Sequence, residues 1–303
     1  MRAEDAIGRW PGIFESLAIT VGDGRHIACP ICGKKSFRFD DKDGRGSWIC
    51  THGSGDGWAL VQAVLGCDFK GSLAQVGPII GTVTPTAVCK EEFASPEVLR
   101  KMFLESVKAS KDNLVGAYLK HRGLTVVPEI LRYHKGCWES ETKQNHPAML
   151  AVVTLPDGQA STMHRTYLSR NGEKLKGVDC PKKMMPGVKK STGGAIRLFP
   201  PTADGVIGLA EGIETAIACY EHHGIPTWAA VSAGMMAAFI PPVGVKKVWI
   251  FGDNDSHKSF AGEAAAYSLA KRLVEQKKMP VEVAIPGRPG DWLDELEMRK
   301  CLR

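Results

Sequence analysis

No hydrophobic run in this sequence is long and unbroken enough to read as a membrane span. The longest uncharged stretch, 227–245, is interrupted by Gly234, Pro241 and Pro242 and carries Ser232, which suits a buried strand and helix. The opening MRAEDAIGRW mixes acids with bases and holds no apolar signal-peptide core, so a cytoplasmic protein without membrane contact is expected. Low-complexity blocks and internal repeats are missing. With 44% hydrophobic and 24% charged residues, the bulk of the chain should fold. A Gly-x4-Gly-Lys-Ser/Thr phosphate loop is also absent, which leaves no motor of that type in this sequence. Cysteine is not scarce. There are nine, of which Cys67, Cys89, Cys137, Cys219 and Cys301 stand singly, and nothing implies export. Clustered cysteines therefore read as metal ligands rather than disulfides.

At 303 residues the chain has room for two or three domains. Thirty-nine Lys plus Arg against 33 Asp plus Glu give +6, a balance that favours a polyanionic partner. Residues 1–66 are rich in Gly, Asp and Arg, with short β-like pieces, and suggest a small β domain that needs a staple. Residues 67–95 read as a linker. The pattern then turns helical and afterwards mixed over 96–204, with a hairpin around Pro156, Asp157 and Gly158. From 205 to 303 strands and helices alternate with short joints, which predicts a parallel sheet covered on both faces. The fold class expected is multidomain α+β with a C-terminal α/β domain.

In CPICGKKSFRFDDKDGRGSWICTHGSGDG, Cys29 and Cys32 form a Cys-x2-Cys knuckle with Gly33 at its turn, and Cys50 and His52 follow a β-like stretch. Two pairs of soft or borderline ligands fit tetrahedral zinc with no open position for chemistry. Cys-x-His is tighter than the usual two-residue gap, so His26 and Cys67 stand as alternatives to His52. The stretch resembles the zinc-ribbon domain of phage and plasmid primases and primase-helicases, through the knuckle, Phe37-Arg38-Phe39, the Gly44 to Gly46 turn, Trp48 to Cys50, and Gly55 to Gly57. The family commonly has a cysteine pair two apart where this chain has Cys50 and His52. The resemblance implies structural Zn2+ and contacts of Arg38, Phe39, Arg45 and Trp48 with single-stranded template; packing within the ribbon is the alternative for each.

The run VWIFGDNDS ends at two aspartates, Asp253 and Asp255, and VIGLA ends at EGIETA, which places Glu211 at the same sheet edge with Gly212 behind it. Clustered carboxylates repel, and a hard divalent cation is a good reason to assemble them. Each motif alone reads equally well as a helix start. Together they resemble the Toprim domain of primases, topoisomerases, certain nucleases and recombination proteins. Gly262 with EAAAYSLA behind it resembles the glycine and helix that follow the aspartates in that family. RPGDWLDEL matches a downstream element, making Asp291 either an outer carboxylate or the N-cap of a terminal helix.

AYLKHRGL, LRYH and MHRTYL resemble the middle part of stand-alone phage and plasmid primases, so the subdomain 96–204 is expected to form a cleft for template and nucleotide. His164, Arg165, Lys182, Lys183 and Lys190 are its basic candidates, with solvated surface charge as the alternative. Zinc ribbon first and Toprim last is the order of DnaG-type primases. The resemblance implies a nucleotidyltransferase of the DNA-directed RNA polymerase class, in which Glu211, Asp253 and Asp255 hold Mg2+ or Mn2+ and nucleoside triphosphates are joined into RNA primers on single-stranded DNA. A replicative helicase is the partner so implied. A Toprim nuclease using the same acids, or a non-catalytic DNA-binding module, are the alternatives. Topoisomerases need a further domain with a nucleophilic tyrosine, and the five tyrosines here lie outside such a setting.

Overall fold

The computed structural model describes residues 2–41, 44–85, 93–258 and 260–301. The chain divides into two compact units, Met1–Glu92 and Phe93–Arg303. In the first, helix α1 (Trp10–Ser16) precedes three short strands, β1 (Arg38–Phe39), β2 (Trp48–Cys50) and β3 (Gly53–Gly55), followed by α2 (Gly57–Leu65) and α3 (Phe69–Ile80). The strands form an antiparallel sheet in the order β1-β2-β3. Strands this short bury little by themselves. The core comes instead from aromatic rings: Trp10, Phe14, Phe37, Phe39, Trp48 and Trp58 are all buried in one cluster. Trp10 meets Trp58 edge-on at 5.0 Å, and Phe37 stacks on Trp48 at 5.7 Å. A β-carbon on Gly57 would lie 2.1 Å from Trp10, so only glycine lets α2 begin there.

Helix α3 occupies much of the stretch expected to be a linker. Asp68 caps it through the Gly71 N–H at 2.7 Å, and Val76 is buried in the aromatic core with Leu73 and Ile80 packed beside it. Helical spacing of these apolar residues outweighs the Gly, Pro and Ser that lie among them, and Pro78 falls in the last turn. The rest of that expectation, residues 86–92, lies outside the described residues.

The second unit starts with α4 (Pro96–Glu105), β4 (Val107–Lys108) and α5 (Leu114–His121), then β5 (Arg132–Glu139), β6 (Gln144–Thr154), β7 (Ala160–Tyr167) and β8 (Lys182–Met184). These strands make an antiparallel sheet in the order β4-β5-β6-β7-β8. The β6–β7 hairpin turns at Asp157 and Gly158, as the sequence predicts, with Asp157 accepting from the Gln159 N–H at 2.9 Å. Strict alternation follows: β9 (Val206–Ala210), α6 (Ile213–His223), β10 (Thr227–Ala229), α7 (Ala233–Ala238), β11 (Lys247–Phe251), α8 (Ala261–Lys277), β12 (Val281–Ala284) and α9 (Trp292–Cys301). The four strands are parallel in the order β10-β9-β11-β12. One apolar cluster runs from Tyr118 on α5 and Met149 on β6 to Ile213 on α6 and Trp292 on α9, so both sheets share a core. Multidomain α+β with a parallel C-terminal sheet is the observed class. Among the described residues no helix is long and apolar enough to cross a membrane.

The interior strands β9 and β11 set the site. Ala210 is paired with Phe251. Whatever follows each residue leaves the sheet at the same edge, where α/β sheets open onto their ligand crevice.

Candidate active site and zinc centre

In the first unit the sulfurs of Cys29, Cys32 and Cys50 and a ring nitrogen of His52 lie within 4.8 Å of one another. Cys32 Sγ is 3.8 Å from Cys50 Sγ and 3.2 Å from His52 Nδ1, and Cys29 Sγ is 3.8 Å from that nitrogen. Bonds of about 2.3 Å to sulfur arranged tetrahedrally put ligands about 3.8 Å apart, so the residues fit a closed structural zinc site. His52 completes the set because β2 and β3 join through Thr51 and His52 with Cys50 paired to Gly53. That tight hairpin makes a one-residue gap sufficient, and Trp48 stacks on the His52 ring at 5.7 Å. Neither His26 nor Cys67 belongs to the group. Burial opposes the Cys50 thiolate, but hydrogen bonds from Ser36 at 3.0 Å and from His52 bring its pKa down to about 6. A thiolate so stabilised is ready to bind metal.

The ribbon's template candidates divide by burial. Phe39 and Trp48 are core residues: Phe39 sits edge-on against Phe14 at 5.6 Å, and Trp48 donates its indole N–H to the Asp56 carbonyl at 3.0 Å. Packing therefore accounts for both rings. Arg45 is exposed, 3.8 Å from Asp56, while Arg38 is half-buried, with its guanidinium 3.2 Å from Asp40 and its Nε buried.

At the edge of the parallel sheet, Glu211 follows β9 and Asp253 follows β11 by two residues. Both line a cavity of about 210 Å3 together with Asp291, His164, Lys182 and Val231. Burial, and after it the charge of Asp255, pushes the Glu211 carboxyl up to about 7. Burial, then the charges of Glu211, Asp291 and Asp255, pushes Asp253 up to about 8. The Asp253 Oδ1 atom is buried with no hydrogen-bond partner. Carboxylates packed so that they resist ionising, one with an orphaned oxygen, form a hard donor set that fits a divalent cation.

Asp255 stands beside the cavity rather than in its wall. Its Oδ2 accepts from the Gly262 N–H at 3.1 Å, so it caps α8 from a distance. A β-carbon on Gly262 would come within 2.6 Å of the Asp253 carbonyl, and glycine is what lets α8 pass this close to the acids. Asp291 is an N-cap that also lines the cavity. Its Oδ1 accepts from Leu293 at 2.7 Å and Asp294 at 3.1 Å, which caps α9.

Strand parity splits the basic candidates. Across β7 and β8, Thr166 pairs with Lys182 and Arg165 with Lys183. His164 and Lys182 therefore share the face turned to the cavity, while Arg165 and Lys183 share the other. Lys182 pairs with Glu214 at 2.8 Å. Glu214 is buried and also accepts from the Tyr118 hydroxyl; against its burial, the Lys182 charge holds it down to about 2. Lys183 lies between Glu139 at 2.6 Å and Glu141 at 2.5 Å, which neutralises it as a cation for substrate. Arg165 stacks over Tyr167 at 5.4 Å on that same face. Lys190 is exposed after β8 and is not part of the cavity wall. His164 is buried, its Nδ1 has no partner, and burial drives its pKa down to about 4, so it is a neutral imidazole.

Sequence reasoning missed Glu214, Tyr118, Asn254 and Val231. Glu214 lies in the first turn of α6, three residues after Glu211, within the EGIETA motif already singled out. Val231 was not legible: it is a β-branched residue at φ 76° whose N–H donates to the Glu211 carbonyl at 2.8 Å.

Three family models match the chain. Residues 24–58 match the zinc-binding domain of primase-helicase, 206–300 the Toprim domain, and 94–198 a domain of unknown function, DUF7146. The ribbon and the parallel-sheet half are thus a primase-type zinc-binding domain and a Toprim domain. Both domains occur in the one chain, the zinc-binding domain first and the Toprim domain last. Among solved structures, the zinc-binding and RNA polymerase domains of the Aquifex aeolicus primase match at 14% identity, covering 100% of this chain and 84% of that one, with a TM-score of 0.44. A DNA primase domain from Pseudomonas aeruginosa matches at 16% identity over 61% and 68% of the two chains, TM-score 0.42. The primase fragment of the bacteriophage T7 primase-helicase matches at 13% identity over 91% and 96%, TM-score 0.39.

Proposed function

We propose that this protein synthesises short RNA primers on single-stranded DNA from nucleoside triphosphates, as a phage- or plasmid-type primase acting in the cytoplasm. The observation that carries the reading is one cavity lined by unlike groups: Glu211, Asp253 and Asp291 from the parallel-sheet region, and Lys182 and His164 from the antiparallel sheet. Carboxylates alone would suit a bare cation, and cations alone a bare anion. Both together suit a polyphosphate that arrives with its metal.

Mg2+ or Mn2+ held by Glu211, Asp253 and Asp255, with Asp291 outside them, would supply Lewis acidity and charge neutralisation when bound. The chain's own groups do the rest. Lys182, paired with Glu214 at 2.8 Å, places its ammonium against the phosphates, and neutral His164 offers a hydrogen bond without further charge. The 3′ hydroxyl of one nucleotide then attacks the α-phosphate of the next. A new P–O bond forms as the bond between the α-phosphate and the departing pyrophosphate breaks, and the hydroxyl proton passes to solvent water. The domains proposed are ribbon 1–66 for template with helix α3 packed on its core, basic subdomain 96–204 and Toprim domain 205–303. Unwinding falls to a replicative helicase as partner.

Incorporation of labelled nucleotide on single-stranded DNA tests the reading. Asp253→Asn and Glu211→Gln should each lower synthesis about a hundredfold or more while single-stranded DNA binding persists. Synthesis unchanged in both variants would refute it.

A further inference from the structure

Of the exposed large hydrophobic side chains among the described residues, Phe260 alone has a positive φ. It sits at φ 53°, ψ 25° as the N-cap of α8 and is 57% exposed. Two local rules are broken at once. An aromatic residue is sterically disfavoured in the left-handed region. The N-cap of a long helix favours Ser, Thr, Asp or Asn, yet Phe260 offers no side-chain cap. Exposed Tyr267 and Val274, by contrast, lie within α8 on ordinary helical backbone.

The surroundings hold this conformation in place. The Phe260 N–H donates to the Asp255 carbonyl at 3.2 Å, and its own carbonyl accepts from Ala264 at 2.9 Å. Because Asp255 caps Gly262 from outside, the N-cap position is released from capping. The backbone that carries the ring is therefore held one hydrogen bond away from the Asp-x-Asp motif, with exposed His257 and Lys258 on the preceding turn. Backbone strain that persists beside a functional site points to a use for the side chain.

We propose that Phe260 is a stacking platform for an unpaired nucleobase, supplied by single-stranded template or by the nucleotide that enters the site; this rests on the primase reading above. A phenyl ring has no hydrogen-bonding group, so it accepts any base by its π-face. His257 and Lys258 meet the adjoining phosphates.

Two substitutions separate the ring from the backbone. Phe260→Asn tolerates the left-handed region and removes the ring; Phe260→Tyr keeps it. Each purified full-length protein is titrated with a dye-labelled oligothymidylate by anisotropy and with ATP plus Mg2+ by calorimetry. Thermal melts run in parallel. Phe260→Asn should melt no lower than wild type and lose about tenfold in affinity, the size of one stacked base. Loss for the oligonucleotide assigns the platform to template, and loss for ATP assigns it to the incoming nucleotide. Phe260→Tyr should stay within about twofold of wild type for both ligands. Unchanged affinities in Phe260→Asn, or equal losses in both variants, would overturn the proposal. Wild type that fails to make primers while Phe260→Asn still loses DNA affinity would sink the primase reading alone.

Discussion

Asn254 and Gly290 exchange both backbone hydrogen bonds, Asn254 N–H to Gly290 carbonyl at 2.9 Å and the reverse at 3.0 Å. The residue between the two aspartates thereby ties the chain just before Asp291 to the acid cluster. Its side chain adds a bond from Nδ2 to the Pro286 carbonyl at 2.8 Å, and Oδ1 accepts from the Ser256 hydroxyl at 2.6 Å.

Asn254→Ala removes these bonds and a third, from the Ser256 N–H to Oδ1 at 3.2 Å, and leaves the backbone bridge. Stability should fall by about 1 to 2 kcal/mol, as for lost hydrogen bonds. The Mg2+ concentration needed for half-maximal incorporation should rise as Asp291 loosens. A urea midpoint and a metal titration of activity report the two effects separately.

Lys182 and Lys183 are adjacent in sequence and opposite in role. Lys182→Met removes the cation from Glu214, a buried carboxylate left with the Tyr118 hydroxyl and its own backbone N–H, and should cost about 3 to 5 kcal/mol. Adding Glu214→Gln should recover much of that loss without restoring synthesis. Lys183→Met leaves buried Glu139 with the N–H groups of Glu141 at 2.9 Å and Thr142 at 2.8 Å, so it should cost less stability, and the activity of the folded fraction should stay near wild type. Denaturation curves with incorporation normalised to folded protein distinguish the pair.

His164 gives a pH dependence whose sign follows from its burial. Its folded pKa, about 4, is below the ordinary 6.5, so the unfolded chain takes up a proton first as pH falls. Stability from this group is complete above about pH 6.5 and is lost as pH drops from there towards 4. His164→Gln should flatten that decline, so the difference in urea midpoint between variant and wild type should narrow from pH 7 to pH 4.5.

Zinc removal should act on the first unit alone. Its strands are two or three residues long, and structural zinc in finger peptides contributes about 10 to 16 kcal/mol at pH 7. After chelation, limited proteolysis should open cleavage sites before Phe93, while the melting transition of Phe93–Arg303 stays in place.

Much of this was legible in the sequence because it rests on local rules. Strand ends followed by Glu211-Gly212 and by Asp253-x-Asp255 implied one sheet edge, and the pairing of Ala210 with Phe251 puts both there. What was hidden depends on faces and on burial. Lys182 and Lys183 differ only in parity, which no composition reveals. Phe39 and Trp48 looked like template contacts because an aromatic strand residue reads alike whether it faces a base or a core. Asn254 was passed over because its partner, Gly290, is distant in sequence.

The central claim is tested most directly by one reaction carrying two labels, one on the single-stranded template and one on the nucleoside triphosphate, resolved on a sequencing gel. The account predicts short nucleotide-labelled products that require template and metal, with the template band intact. A shortened template with no nucleotide-labelled product would contradict it and assign Glu211, Asp253 and Asp255 to hydrolysis.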